Sequence, residues 1–130
     1  MKKNKYKSCL VLIAHGSKDP LWCKPFERIV NKVKKGLPQN AVRLAYLELA
    51  LPSISEVIKD LARENITDIK LLPLFMAIGS HVNRDIKELV LKTRRKLPNL
   101  KIKILPPIGK HPEVSSLICE IIKGYSNIDL

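Results

Sequence analysis

The chain lacks any long hydrophobic run, and this absence sets the first limit on its class. Although 45% of its 130 residues are hydrophobic, no apolar stretch approaches the ~18 residues that a membrane-spanning helix requires. A basic start followed by a short apolar run resembles a signal peptide, but the run ends without a small-residue cleavage pattern. We therefore expect no membrane partner and a cytoplasmic location.

Cysteine is scarce, and its spacing suggests no cross-linked framework. There are three cysteines, Cys9, Cys23 and Cys119, an odd number, and none of them forms a C-x-x-C pair. Neither a disulfide scaffold nor a zinc knuckle is therefore expected. We interpret the three cysteines as small apolar residues near the core. Linkers, repeats and low-complexity stretches are also missing, and the length suits one core. We therefore expect residues 1–130 to form a single domain.

Aromatic and acidic residues are both few. Aromatics make up 5% of the chain, which leaves little material for the stacking platform of a nucleic-acid binder. Lys and Arg number 24 against 12 Asp and Glu, for a formal net charge of +12. This excess favours an anionic partner, although a basic surface that only maintains solubility is the alternative. Because the lysines are scattered along nearly every element, we expect no nucleic-acid partner.

The sequence does contain a regular alternation of apolar runs and helical stripes. Apolar runs predict four strands, at residues 8–14, 42–47, 68–75 and 101–105. Apolar residues at helical spacing predict helices over 24–37, 54–62 and 83–97, and a fourth opening at 111–113, with 124–130 expected to fray. Ser53 and Glu56 have the spacing of a capping box before the second helix.

Four consecutive strand–helix units predict an α/β fold. The expected architecture is a three-layer sandwich with a four-stranded parallel sheet and helices on both faces. Right-handed crossovers and the commonest compact arrangement give the strand order 2-1-3-4. The topological switch point then lies between strands one and three, where ligands bind beyond the carboxyl ends of the strands.

Two of the three histidines follow those two strands. His15 stands directly before a Gly-Ser pair after strand one, and His81 stands directly after the pair Gly79-Ser80 beyond strand three. Glu48 directly follows strand two at the same edge. Two imidazoles and a carboxylate suit a divalent first-row metal with open coordination positions, and imidazole also exchanges protons near neutral pH. The alternative for Glu48 is a solvated turn residue.

Three other residues near this edge have simpler interpretations. Asp85 falls in the first turn of the predicted third helix, where the helix dipole tolerates an acid. His111, directly before Pro112, is interpreted as a capping or loop residue. Trp22 is interpreted as a packing residue of the loop after strand one, and the alternative is one wall of a site for a flat ligand.

The segments around these histidines resemble the short sirohydrochlorin chelatases of the CbiX type. Four segments carry the likeness: VLIAHGSKDP (11–20), YLELALPSI (46–54), PLFMAIGSHVNRDI (73–86) and PPIGKHP (106–112). Their order, their spacing and the total length agree with that family over essentially the whole chain. Either histidine motif alone would be modest evidence, whereas both together, in order, are strong.

The resemblance implies a chelatase-like fold and insertion of a divalent metal into sirohydrochlorin. The metal is usually Co²⁺, on the anaerobic route to cobalamin, with Fe²⁺ for sirohaem or Ni²⁺ for coenzyme F430 as alternatives. No organic cofactor and no ATP are implied. The family's metal-binding, proton-accepting histidines match His15 and His81, and a metal-holding carboxylate matches Glu48. The short form is further expected to pair as a homodimer across the macrocycle cleft.

The implied substrate has a rim of acetate and propionate groups, which suits a chain of charge +12. Basic side chains beside the motifs are expected to contact those carboxylates, and helix N-termini would add to the attraction. The expected substrate-binding residues are Ser17, Lys18, Gly79, Ser80, Arg84 and Lys110. Because no histidine-rich insertion lies between His81 and His111, the resemblance favours cobalt or iron over nickel.

Two other classes compete with this hypothesis. A histidine phosphatase would carry an arginine directly before His15, where this chain has Ala14. A metal chaperone or a basic binding module on the same fold is the alternative that involves no catalysis.

Overall fold

The computed structural model describes residues 8–38 and 41–126. Its strands are β1 (Ser8–Ala14), β2 (Val42–Tyr46), β3 (Asp68–Pro73) and β4 (Lys101–Ile104). Its helices are α1 (Pro20–Lys34), α2 (Ile54–Arg63), α3 (Ser80–Lys96) and α4 (Pro112–Ser126), and a 3₁₀ turn at Ile108–Lys110 precedes α4. No helix within this described part of the chain is long and apolar enough to cross a bilayer.

The four strands form one parallel sheet in the order β2-β1-β3-β4. The predicted fold class and strand order are therefore confirmed. β1 lies in the interior of the sheet, with Val11 and Ile13 fully buried, and this double burial explains its continuous apolar run. Ile13 pairs with Pro73 at the end of β3, so the carboxyl ends of β1 and β3 are neighbours, as the switch-point argument requires.

Helices cover both faces of the sheet. The main core lies on the face of α2 and α3, where Ile58 and Ile86 pack with Val11 and Leu71. α1 covers the opposite face, where Val30 packs against Leu12. Burying each such side chain contributes about 1.5–3 kcal/mol relative to leaving it in water. The two apolar layers therefore fix the sheet and, with it, the loops at its carboxyl edge.

Two predicted helix starts are wrong, and local capping explains both. α1 begins at Pro20 rather than at 24 because the Asp19 side chain accepts the Leu21 amide at 2.9 Å. Trp22 therefore lies inside α1 and not in the preceding loop. α3 begins at Ser80 rather than at 83, with Gly79 in extended conformation as its N-cap.

Other predicted boundaries differ by a few residues. α1 ends at Lys34 rather than at 37, and β3 ends at Pro73 rather than at 75. Directly after β3, the Leu74 amide still donates a hydrogen bond to the Ile13 oxygen of β1, at 2.8 Å. α4 continues to Ser126, beyond the predicted fraying from 124, and residues 127–130 of that prediction lie outside the described residues. The Ser53 hydroxyl accepts the Glu56 amide at 3.2 Å, as the capping-box spacing predicts.

Candidate functional site

The carboxyl ends of β1, β2 and β3 lead into one cluster of loops, at residues 15–19, 47–53 and 74–79. Backbone hydrogen bonds join these loops just beyond the sheet. The Leu47 amide donates to the Ala14 oxygen at 2.9 Å, and the Glu48 amide donates to the His15 oxygen at 3.0 Å. The backbone at His15 is therefore held by a continuation of the hydrogen bonds that join β1 and β2.

His15 lies on an aromatic support. Its imidazole stacks on the ring of Phe75, with ring centroids 4.1 Å apart and planes inclined by 26°. Phe75 is buried, whereas the His15 side chain is exposed. Because stacking uses the face of the imidazole, the two ring nitrogens stay at its edge, free for a proton or a metal.

Gly16 allows the loop after β1 to approach the loop after β2. Its φ of +96° lies in the left-handed region, and a Cβ at this position would overlap the backbone oxygen of Glu48. The side chain of Glu48 is exposed, and Leu49 beside it has a φ of +63°. The structure thus brings His15 and Glu48 together through their backbones, at the edge where the sequence predicted both.

The next two residues of the first motif, Ser17 and Lys18, have different environments. The Ser17 hydroxyl accepts the Asp19 amide at 3.0 Å, which orders the entry into α1. Lys18 is exposed. Lys18 therefore extends into solvent, and the Ser17 hydroxyl keeps its own O–H to donate to a ligand.

His81 lies in the first turn of α3, exposed to solvent. Its N-cap Gly79 makes no side-chain capping bond, and the space around the Gly79 Cα is open. The first amides of this helix therefore remain available to an anion. Arg84 stands three residues after His81 and is also exposed, so both side chains lie on one face of the helix.

Asp85 is in a different position from the one predicted. The early start of α3 moves it from the first turn to the second, and no acidic residue occupies the first turn. Its side chain borders a groove between α2 and α3, together with Ser55 and Lys59. Asp85 therefore belongs to that groove.

The 3₁₀ turn before α4 packs directly on the loop that carries Phe75. The Gly109 amide donates to the Phe75 oxygen at 2.9 Å, and a Cβ on Gly109 would overlap the backbone of Met76. This contact brings the exposed Lys110 to the carboxyl edge of the sheet. The Nδ1 atom of His111 accepts the Glu113 amide at 3.2 Å, which confirms the predicted capping role of this histidine.

Sequence reasoning assigned no role to the apolar side chains of this edge. Four large non-aromatic ones are exposed on the loops after the first three strands and the start of α1: Leu21, Leu49, Leu51 and Met76. Exposed apolar surface rimmed by polar groups commonly marks a binding site. The signal in the sequence was leucine at every second position over 47–51, which is unusual for a loop. Trp22, by contrast, packs on Phe26 with ring centroids 4.8 Å apart, as the packing interpretation predicted.

A buried tyrosine lies below the first two loops. The Tyr46 hydroxyl is buried and has no hydrogen-bond partner among the described residues. Burial, followed by the neighbouring Cys23 thiol, raises the pKa of Tyr46 to about 12. The Tyr46 hydroxyl is therefore uncharged at neutral pH, and its ring packs with Cys23 below the site.

The described residues form no closed metal cage at this site. Within residues 8–38 and 41–126, no three His, Cys, Asp or Glu side chains meet as a potential metal site. His15 and His81 are instead exposed, one on the loop after β1 and the other on the first turn of α3. A structural zinc site closes four ligands around the ion, so this arrangement suits only an open or transient ligand set.

The fold and this edge define a class, the chelatase-like α/β proteins. The architecture is a parallel 2-1-3-4 sheet with exposed imidazoles beyond its two inner strands. The CbiX family model matches residues 9–124. The chain therefore belongs to the CbiX family.

Curated relatives of similar size support this assignment. A sirohydrochlorin cobaltochelatase from Sulfurisphaera tokodaii is 33% identical over 114 residues, which cover 88% of this chain and 87% of that protein. Another from Sulfolobus acidocaldarius is 31% identical over 111 residues, covering 85% and 86% of the two chains.

Solved structures show the same fold. A protein from Marinobacter aquaeolei VT8, described as a CbiX protein of cobalamin biosynthesis, superimposes with a TM-score of 0.80 at 28% identity, covering 91% of this chain and 96% of that one. SirB from Bacillus subtilis with Fe³⁺ gives a TM-score of 0.79 at 20% identity, covering 94% of this chain. This chain spans only 48% of SirB, about half its length.

Proposed function

We propose that this protein is a sirohydrochlorin cobaltochelatase that inserts Co²⁺ into the tetrapyrrole during anaerobic cobalamin biosynthesis. The observation that carries the proposal is the exposed imidazole of His15, held on Phe75 at the carboxyl end of β1. Membership of the CbiX family supports the substrate. Cobaltochelatases that match this chain over most of both lengths support the metal.

The proposed chemistry is an exchange of two pyrrole protons for one divalent metal. In this proposal His15 and His81 present imidazoles that bind the metal and accept the departing protons. Glu48, joined to His15 through the backbone, supplies a carboxylate that offsets the charge of the metal as it approaches. The metal is a substrate of the reaction, and no organic cofactor takes part.

Weak and incomplete ligation is part of this proposal. A metal held by four protein ligands would not leave for the macrocycle, whereas one held by two imidazoles retains open positions for pyrrole nitrogens. The lack of a three-residue cluster among the described His, Cys, Asp and Glu residues is consistent with a transient site.

Substrate binding in this proposal combines apolar and ionic contacts. The flat macrocycle packs on the exposed side chains of Leu49 and Met76. Its carboxylates pair with Lys18, Arg84 and Lys110, which are exposed around the same edge. The segment Gly79-Ser80 offers the uncapped amides of α3 to one further carboxylate. Ser17, two residues after His15, offers its hydroxyl to another.

We also propose that residues 1–130 form one chelatase-like domain that acts as a homodimer in the cytoplasm. The single-lobe length, about half that of SirB, is compatible with a second copy that closes the macrocycle cleft. The free state of Cys9, Cys23 and Cys119 suits a reducing compartment.

The proposal is tested by mixing the purified protein with sirohydrochlorin and Co²⁺, Fe²⁺ or Ni²⁺ in parallel and following the absorbance of the macrocycle. We expect acceleration over the spontaneous rate, largest with Co²⁺. Faster insertion of Fe²⁺ or Ni²⁺ would move the assignment to the sirohaem or F430 route. Binding of Co²⁺ without any acceleration would instead identify a metal chaperone.

A further inference from the structure

Leu49 has a backbone conformation that its residue type rarely adopts. Its φ of +63° lies in the left-handed region, where the Cβ of an L-residue comes too close to the following carbonyl oxygen. Among the described residues, only Gly16 and Asn65 also have a positive φ. Glycine meets no steric penalty in this region, and asparagine adopts it readily. Leu49 is therefore the one described residue that holds this conformation against the preference of its side chain.

The loop that carries Leu49 is fixed at both of its ends. At its start, the amides of Leu47 and Glu48 donate to the backbone that follows β1. At its end, the Pro52 oxygen accepts the Tyr46 amide at 2.9 Å, and the next residue caps α2. The left-handed turn therefore lies in the middle of a short segment whose two ends are tied to the sheet.

The left-handed turn changes which side chains of this loop face solvent. Leu47 is partly buried and packs against the main core, whereas Glu48 is exposed. Side chains alternate along an extended chain, so position 49 would again face the side of Leu47. Leu49 is instead 57% exposed, and Ala50 packs inward against the cluster of Tyr46. A carboxylate and a large apolar side chain, adjacent in sequence, are thus both exposed at the carboxyl edge of the sheet.

Neither property of Leu49 favours folding. The left-handed conformation strains a leucine, and a side chain left largely in water loses much of the stabilisation that burial would give. Glycine or asparagine would form the same turn without the strain and without the exposed apolar surface. A strained residue in a loop that is fixed at both ends, beside a functional edge, therefore indicates a role in ligand binding.

The surroundings of Leu49 suit a ligand that is apolar in its body and acidic at its rim. The preceding amide bonds to the His15 oxygen at 3.0 Å, so Leu49 lies one residue from a direct contact with the His15 loop. Met76 adds a second large apolar side chain, 60% exposed, on the loop after β3. Lys18 and Lys110 are exposed at the same edge. Apolar contacts bordered by cations match an apolar ring that carries carboxylates.

We propose that Leu49 sets the position of the tetrapyrrole, and that the strain in its backbone is retained for this purpose. The ring rests on a leucine that the fixed loop already holds outward, so little side-chain or loop ordering is needed on binding. Glu48 and His15, which are tied to the same loop, then lie beside the ring. The inference rests on the substrate proposed above and identifies the residue that seats it.

The test compares two quantities in the same variants of the full chain. One is the Kd of metal-free sirohydrochlorin, from an absorbance titration, and the other is the urea midpoint. Leu49→Gly and Leu49→Asn should each raise Kd by about tenfold, because an apolar contact is lost. Both should also raise the urea midpoint, because both residue types relieve the left-handed turn. Weaker binding by a more stable chain cannot result from damage to the fold.

Three further variants separate the side chain from the backbone. Leu49→Ala keeps the strain and removes the contact, so it should raise Kd without raising the midpoint. Leu91→Ala removes a leucine of α3 with similar exposure, 56%, and should leave Kd unchanged. Asn65→Gly alters a left-handed residue that follows α2 and should also leave Kd unchanged. In steady-state metallation, Leu49→Gly should raise KM for sirohydrochlorin more than it lowers kcat.

An unchanged Kd in Leu49→Gly and Leu49→Asn would overturn the inference, and normal metallation by these variants would leave the proposed function in place. A lower urea midpoint in both would also overturn it, since the leucine would then serve folding. Binding that depends on Leu49 in a chain that never inserts a metal would support the inference and contradict only the proposed function.

Discussion

The imidazole of His15 lies against the ring of Phe75 with 4.1 Å between the ring centroids. Phe75 is only 6% exposed, and the Gly109 amide holds its backbone oxygen at 2.9 Å. A fixed apolar ring therefore supports an imidazole that faces solvent. We infer that Phe75 is a positioning residue, which limits the rotation of His15 and keeps its nitrogens aimed away from the protein.

Loss of this support should slow the reaction without weakening substrate binding. The variant Phe75→Leu keeps an apolar side chain but removes the stacking, and we expect kcat to fall by about tenfold because the imidazole is less well oriented. KM for sirohydrochlorin should change little. Steady-state metallation kinetics measure both, and Phe26→Leu, which removes a partly buried ring from α1, is the control. Equal losses in the two variants would show that Phe75 has no special role.

Gly109 should be intolerant of any side chain. A Cβ there would overlap the backbone of Met76, so Gly109→Ala must displace either the 3₁₀ turn or the loop below it. We expect a loss of about 1–3 kcal/mol in the free energy of unfolding, measured by urea denaturation. Gly36→Ala meets no atom within 4 Å and should change stability by less than about 0.5 kcal/mol. A stable, fully active Gly109→Ala would argue against the close contact.

Stability should fall at alkaline pH. Burial raises the pKa of Cys9 from 9.0 to about 11 and that of Tyr46 from 10.0 to about 12. Between pH 9 and 12 the folded chain therefore holds more protons than the unfolded chain, and the free energy of unfolding decreases as pH rises. Denaturation midpoints across this range measure the slope.

The variant Tyr46→Phe separates the two groups. It removes a buried hydroxyl that has no partner among the described residues, so stability at pH 7 should be unchanged or slightly higher. The alkaline loss above pH 10 should become shallower. An unchanged slope would mean that Tyr46 ionises as freely in the folded chain as in the unfolded one.

Substrate capture should depend on salt. If carboxylates of the macrocycle pair with exposed basic residues, added salt screens the attraction and KM for sirohydrochlorin rises. Arg84→Ala should raise KM further, by a few-fold. The other two proposed contacts, Lys18 and Lys110, are lysines, which cannot bind a carboxylate through two parallel hydrogen bonds as arginine does. Arg94→Ala, at the far end of α3, is the matched control. A KM that does not change with salt would show that the basic surface makes no contribution to substrate binding.

Much of the fold was predictable from the sequence because it depends on local patterns and general topology. Four consecutive strand–helix units, combined with right-handed crossovers and the commonest compact arrangement, predicted the sheet order. The starts of α1 and α3 were missed for local reasons. Asp19 and Pro20 form the capping signal of α1, whereas the cap of α3 is Gly79, which has no side chain that could signal a helix start.

Two features of the structure depend on contacts between segments that are distant in the sequence. The stacking of His15 on Phe75 follows from how the loops after β1 and β3 are joined, through the Leu74 amide and the Ile13 oxygen. The apolar stripe of α4 was predicted, but its exposure depends on where the helix lies relative to β3 and β4. Periodicity along one segment carries no information about either arrangement.

The central claim is that His15 and His81 carry metal insertion, and one measurement tests it most directly. The rate of Co²⁺ insertion into sirohydrochlorin is compared for the wild type, His15→Ala, His81→Ala and His111→Ala. We predict that each of the first two variants loses about 100-fold or more of the acceleration. His111→Ala, which removes only a cap of α4, should keep it. Wild-type rates in both His15→Ala and His81→Ala would contradict the account.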